Sequence, residues 1–124
     1  MEPFIPKIQN YKDLIVWQLA HQLTIAIYQR TYSFPKEELY GLTSQIRRAA
    51  ASTAANITEG SKRRSTNDLC HFLNMSEASN EEVKYFLLLA KDLTYLSVDS
   101  FRTNHQLADR VSAMLHKLIT SLNS

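Results

Sequence analysis

Three kinds of side chain in this sequence are candidates for chemistry, and metal ligation comes first. Asp68 and His71 stand at the spacing by which a helix turns a carboxylate and an imidazole toward one ion. Bundles that hold paired metals need that motif on two helices plus further carboxylates, and here it occurs once. His21, His105 and His116 are read as surface or packing residues without carboxylate or histidine partners at ligand spacing. The lone Cys70 forms neither an internal disulfide nor, by itself, a thiolate zinc site. Two glycines in 124 residues exclude a phosphate-cradling glycine loop. No serine or cysteine has a base and an orienting group in prospect. The expectation is a protein with no catalytic residue, no cofactor, no metal and no small-molecule substrate.

The second kind is clustered charge. Lys62, Arg63 and Arg64 are adjacent in "NITEGSKRRST", while the chain as a whole carries only +2. Affinity for phosphate must therefore come from local clustering. Such a run is either a solvated turn or a polyanion contact, and one copy neutralises at most about three phosphates. Repeated around an assembly, with Arg47 joining it, the same turn gains affinity through multivalency.

The third is a polar stripe on the second helix, Gln45, Arg48, Ser52, Asn56 and Glu59. Arg48 and Glu59 lie about 16 Å apart along a helix, so each needs a partner elsewhere. The expected partner of Arg48 is Glu82, with Gln45 or Asn56 completing the hydrogen bonds in a structural network that fixes register; the other readings are a binding site built on these groups and plain solvent exposure.

These groups need elements to hold them. Prolines and glycines fall only at Pro3, Pro6, Pro35, Gly41 and Gly60, so the segments between them can be helical. Four helices are expected: about Lys12 to Tyr32, about Leu42 to Glu59, from the Ser65 and Asp68 capping pair to about Leu96, and from "SVDS" nearly to the end. A short turn at "KEEL" precedes the second, and Gly60 is expected to end it in a left-handed conformation. The fold class is all-α, an antiparallel up-down-up-down four-helix bundle in one domain over 1–124 with a short extended N-terminal arm at 1–10.

The fourth helix carries one apolar stripe, Leu107, Val111, Met114, Leu115, Leu118 and Leu122, and the second has Leu42, Ile46, Ala50, Thr53 and Ile57. The first helix has two. Val16, Ala20, Leu23 and Ile27 form one stripe; Leu14, Trp17, His21, Ile25 and Tyr28 form another, although an outer bundle helix needs only one. The third helix likewise sets Tyr85, Leu88 and Tyr95 apart from Val83, Phe86, Leu87, Ala90 and Leu93. Exposed aromatics on this scale exceed what a monomer usually shows, which points to association through Leu14, Trp17, His21, Ile25, Tyr28, Tyr85 and Leu88. The other reading is an irregular bundle that buries both faces.

An ordered series of elements carries a family resemblance: Tyr11, Leu14 and Trp17; Phe34-Pro35; Leu42-Thr43; Gln45-Ile46-Arg47-Arg48-Ala49; Asn56-Ile57; Glu59-Gly60; and Ser79 with Glu82. Over roughly residues 11 to 97 the chain resembles the bacterial S23 ribosomal protein-like family, also called 23S rRNA intervening-sequence proteins. The resemblance implies a bundle assembling into a ring, usually a homopentamer. It also implies kinship with the accessory protein of diversity-generating retroelements, which associates with a reverse transcriptase and nucleic acid.

The function expected is a non-enzymatic, homo-oligomeric scaffold or accessory protein binding RNA or nucleoprotein through basic loops; the alternative is an interaction module that binds only protein. "MEPFIPKIQN" lacks the pattern of a secretory signal, and no stretch reaches the roughly eighteen apolar residues of a membrane span. A cytoplasmic location without membrane contact is expected.

Overall fold

The computed structural model describes residues 10–124. Four α-helices form where proline and glycine leave room for them: α1 (Ile15–Thr31), α2 (Leu42–Gly60), α3 (Thr66–Asp92) and α4 (Val98–Asn123). Short 3-10 turns cover Tyr11–Asp13 and Lys36–Glu38, the latter at the expected "KEEL" turn, and no strand occurs among the described residues. The expected arm over 1–10 lies, apart from Asn10, outside them. α1 packs on α2 and α4, and α3 packs on the same two, a set of contacts compatible with a four-helix bundle.

Local chemistry sets the ends. The first helix starts later than the sequence suggests, because Leu14 is extended (φ −76°, ψ 124°) and Asn10 caps the preceding turn by accepting from the Lys12 N–H at 3.0 Å. Ser65 caps α3 by accepting from the Asp68 N–H at 3.1 Å, and Ser97 caps α4 the same way from Ser100 at 3.1 Å. At α2 the cap comes from a distance: the Glu38 carboxylate accepts from the Leu42 N–H at 3.3 Å and from the Tyr95 hydroxyl at 3.1 Å. One side chain thereby satisfies an orphan donor and ties the α1–α2 connection to the end of α3. Gly41 leaves it space, since a β-carbon there would lie 2.8 Å from Glu38 Oε1.

Two expectations about helix ends are corrected. Gly60 is not left-handed; it remains helical, and its merit is closeness to α3, where an added β-carbon would sit 3.0 Å from Phe72 Cβ. The left-handed residue is Thr94 (φ 64°), which ends α3 at Asp92 rather than near Leu96. There the Thr94 N–H reaches the Lys91 carbonyl and the Tyr95 N–H the Ala90 carbonyl, both at 2.9 Å, a Schellman closure. This early stop exchanges two expected orientations: Leu93 turns outward, and Tyr95 turns in against Phe34, with ring centroids 5.7 Å apart.

The core divides into two apolar clusters. One gathers Leu23, Ile27, Phe34, Leu42, Ile46, Val83 and Leu87; the other gathers Val16, Leu19, Ile57, Leu69, Leu73, Val111 and Leu115. Between them runs a buried polar belt. Ser76 donates to the Thr53 carbonyl at 2.6 Å, and Asn80 donates to the Ala108 carbonyl and the Ser112 hydroxyl, each at 2.8 Å. At the far end of α4, the buried Cys70 thiol lies 3.7 Å from Asn123 Oδ1.

Candidate functional site

The polar stripe on α2 is organised differently from its sequence reading. Asn56 is buried and donates to the Ser52 carbonyl and hydroxyl at 2.9 and 3.0 Å, while Ser52 exchanges a 2.9 Å bond with Ser79 on α3. Gln45, Arg48, Glu59 and Glu82 are exposed. Arg48 and Glu82 line one cleft of about 460 Å³ with Tyr40, Gln45, Ser52 and Ser79, yet among the described residues they make no ion pair. In water two long flexible side chains gain little from pairing, so the expected bridge is corrected to a shared, open cleft.

The residues that do lock α3 to α4 carried no label in the sequence. Lys84 reaches Glu81 at 3.0 Å and Asp109 at 3.1 Å. Burial acts to lower the Lys84 pKa, but the bonds to and fields of both carboxylates outweigh it and hold the amine above its ordinary 10.5. Asp109 also approaches His105 Nδ1 at 3.3 Å, so His105 does have a carboxylate one turn away, contrary to the sequence reading. Among the described residues no group of three His, Cys, Asp or Glu side chains is arranged to hold an ion.

Lys62, Arg63 and Arg64 are all exposed in the turn between α2 and α3. The turn is tight, because the Lys62 and Arg63 N–H groups return to the Glu59 and Gly60 carbonyls at 3.2 and 3.0 Å. Arg63 folds back over the Phe72 ring, 4.3 Å from its centroid. Arg47 does not join this cluster within one chain: it stands near the other end of α2, about 20 Å along the helix. There its Nε donates to Thr31 Oγ1 at 2.8 Å and its guanidinium covers the Tyr28 ring at 4.8 Å.

The two apolar stripes of the first helix separate as their spacing requires. Val16, Ala20, Leu23 and Ile27 are buried. On the other stripe Leu14 and Trp17 are half-buried, and Trp17 stacks flat on the exposed His21 (4.9 Å, 9°) with Tyr11 edge-on at 5.0 Å. Ile25 and Tyr28 remain 47% and 44% exposed. On α3, Tyr85 and Leu88 are 58% and 40% exposed. These two surfaces belong to helices that share neighbours without packing on each other as a main contact.

Beyond Tyr28 lies a surface that sequence spacing alone did not single out. Tyr32 and Tyr40 are 87% and 93% exposed. Between them two adjoining hollows of about 320 and 380 Å³ share Tyr28, Leu39, Thr43 and Arg47. The available signal was the number of tyrosines flanking Pro35, one on either side of the turn.

Four helices around a divided core, with polar and aromatic side chains on the outside, define an all-α protein. The chain belongs to the 23S rRNA-intervening sequence protein family, whose model matches residues 12–117. Among solved structures it is similar to a protein of unknown function from the S23 ribosomal protein family of Bacteroides thetaiotaomicron. That similarity has a TM-score of 0.79 at 20% identity and covers 85% of this chain and 98% of the other, a likeness of fold. No curated protein matches the chain. None of the described helices is long and apolar enough to cross a membrane.

Proposed function

We propose that the chain is one subunit of a ring, most simply the pentamer its family resemblance implies, and serves in the cytoplasm as a non-enzymatic scaffold or accessory protein that carries nucleic acid on its basic turns. The observation that carries this reading is a pair of unlike apolar surfaces left exposed, Ile25 and Tyr28 on α1 and Tyr85 and Leu88 on α3. A two-fold dimer needs one self-complementary patch. A cyclic assembly needs two different patches that meet head to tail, and two are present.

The order of contacts supports an antiparallel up-down-up-down subunit: Thr31 meets Arg47 while Thr24 meets Ala50, Gly60 faces Leu69 while Ser52 meets Ser79, and Lys91 covers Phe101 while Cys70 meets Asn123. In a ring the turn holding Lys62, Arg63 and Arg64 recurs around one rim, where each copy adds contacts that a lone turn lacks.

Sedimentation velocity tests the assembly. A mass of several subunits is expected, lowered by Tyr28→Glu or Tyr85→Glu with helix content kept; a single-chain mass at high concentration overturns the ring. Filter retention of a structured RNA across a salt series tests the turn, and retention unchanged in Lys62→Ala/Arg64→Ala overturns its role and leaves the protein-only module.

A further inference from the structure

We propose that the groove between Tyr32 and Tyr40 is a binding site for single-stranded nucleic acid, with unpaired bases stacking on the tyrosines and phosphates resting on Lys36, Arg47 and Arg48. The inference rests on the nucleic-acid reading above and adds a second, chemically different surface at the other end of α2.

Four observations converge. First, Tyr32 and Tyr40 offer nearly whole rings to solvent at opposite ends of two hollows that run together past Leu39. An aromatic face of this size is costly to leave bare, and a base covers it without needing any hydrogen-bond code. Second, the cations there are not spent on carboxylates. Lys36, Arg47 and Arg48 line the hollows and make no ion pair among the described residues, whereas Lys84 and Lys91 each do. The nearby acids are Glu37 and Glu82, both exposed and the latter in the cleft that Tyr40 and Arg48 also line, and Glu38, whose carboxylate is turned to Leu42 and Tyr95.

Third, Arg47 is already fixed. Its bond to Thr31 and its seat on Tyr28 hold the guanidinium in place, so little rotamer freedom is lost when a phosphate arrives. Fourth, Thr43 lines both hollows, 3% exposed, and its hydroxyl has no partner among the described residues. Buried hydroxyls are almost always bonded, so this one marks polar capacity left open beneath the groove. A duplex keeps its base faces occupied and cannot use the tyrosines. An acidic peptide satisfies the cations but leaves the rings uncovered.

The test measures fluorescence anisotropy of a labelled oligouridine strand and of an RNA duplex with the full chain. Wild type is expected to bind the strand with a log–log salt slope of about −2, as three phosphate contacts give on single strands. Tyr32→Ala and Tyr40→Ala each weaken strand binding by about five- to a hundredfold. Tyr32→Phe and Tyr40→Phe retain it, and duplex binding follows Lys62 and Arg64 instead. Strand binding that survives loss of both rings overturns the proposal, as does a fall in subunit assembly with Tyr32→Ala/Tyr40→Ala, which makes the groove an interface between copies, or displacement of the strand by an acidic peptide equally well in the presence and absence of the rings. If the duplex binds and the strand does not, this site alone fails; if neither binds, the nucleic-acid reading fails with it.

Discussion

Gly60 packs against Phe72 where α2 meets α3: a β-carbon at position 60 would lie 3.0 Å from the Phe72 β-carbon and 3.3 Å from Leu69 Cδ1. In a free helix, alanine for glycine gains about 1 kcal/mol. Here the added methyl makes Phe72 and Leu69 give by a few tenths of an ångström in a packed interface, and such overpacking costs about 1–3 kcal/mol. Gly60→Ala is therefore expected to lower stability by about 1 kcal/mol, read as an earlier urea midpoint. A later midpoint would show that the interface yields freely.

Thr94 gives the opposite case. It is a β-branched residue at φ 64°, exposed, at the position where a helix stop favours glycine. Left-handed backbone costs such a residue about 1–2 kcal/mol, of which glycine's greater freedom in the unfolded chain takes back a part. Thr94→Gly is expected to stabilise by about 0.5–1 kcal/mol, with thermal unfolding as the measurement.

The buried belt and the open cleft predict unequal sensitivities. Asn80 is fully buried with two donated bonds, so Asn80→Ala should cost about 2 kcal/mol. Arg48 and Glu82 are exposed and make no ion pair among the described residues, so each alanine variant and the double variant should remain within about 0.5 kcal/mol of wild type, without measurable coupling. A double-mutant cycle in urea decides it.

Two groups set an alkaline limit. The hydrogen bond to Glu38, then desolvation and the charges of Glu38 and Glu37, raise the Tyr95 pKa above 10.0. Lys84 is raised above 10.5 by its two carboxylates against the opposing effect of burial. In both cases the folded chain holds its proton more tightly than the unfolded chain does. Their contributions are thus complete below about pH 10 and are lost as pH rises through the folded values. Stability should fall over that window, and less steeply in Tyr95→Phe and in Lys84→Met.

Helix positions and core stripes were legible in the sequence because apolar spacing and proline are local facts. Val16, Leu23, Ile46, Val111 and Leu115 are all buried on the stripes their spacing defines. The polar belt could have been read too: Ser76 and Asn80 fall on the same helical spacing as Leu69, Leu73, Val83 and Leu87, so their burial was written in position and hidden by residue type. The Arg48 and Glu82 relationship was not legible, since whether two long side chains meet depends on helix rotation and solvent, which no single helix encodes. Nor was the early stop of α3, where Thr94 adopts a conformation its type disfavours.

The contact between Cys70 and Asn123 has a practical outcome. The chain's one thiol is buried and lies against Asn123 in the last turn of α4, so a thiol-specific reagent reaches it faster when that turn opens. Labelling speed at Cys70 then becomes a clock for fraying at the C-terminal end, and it needs no added probe.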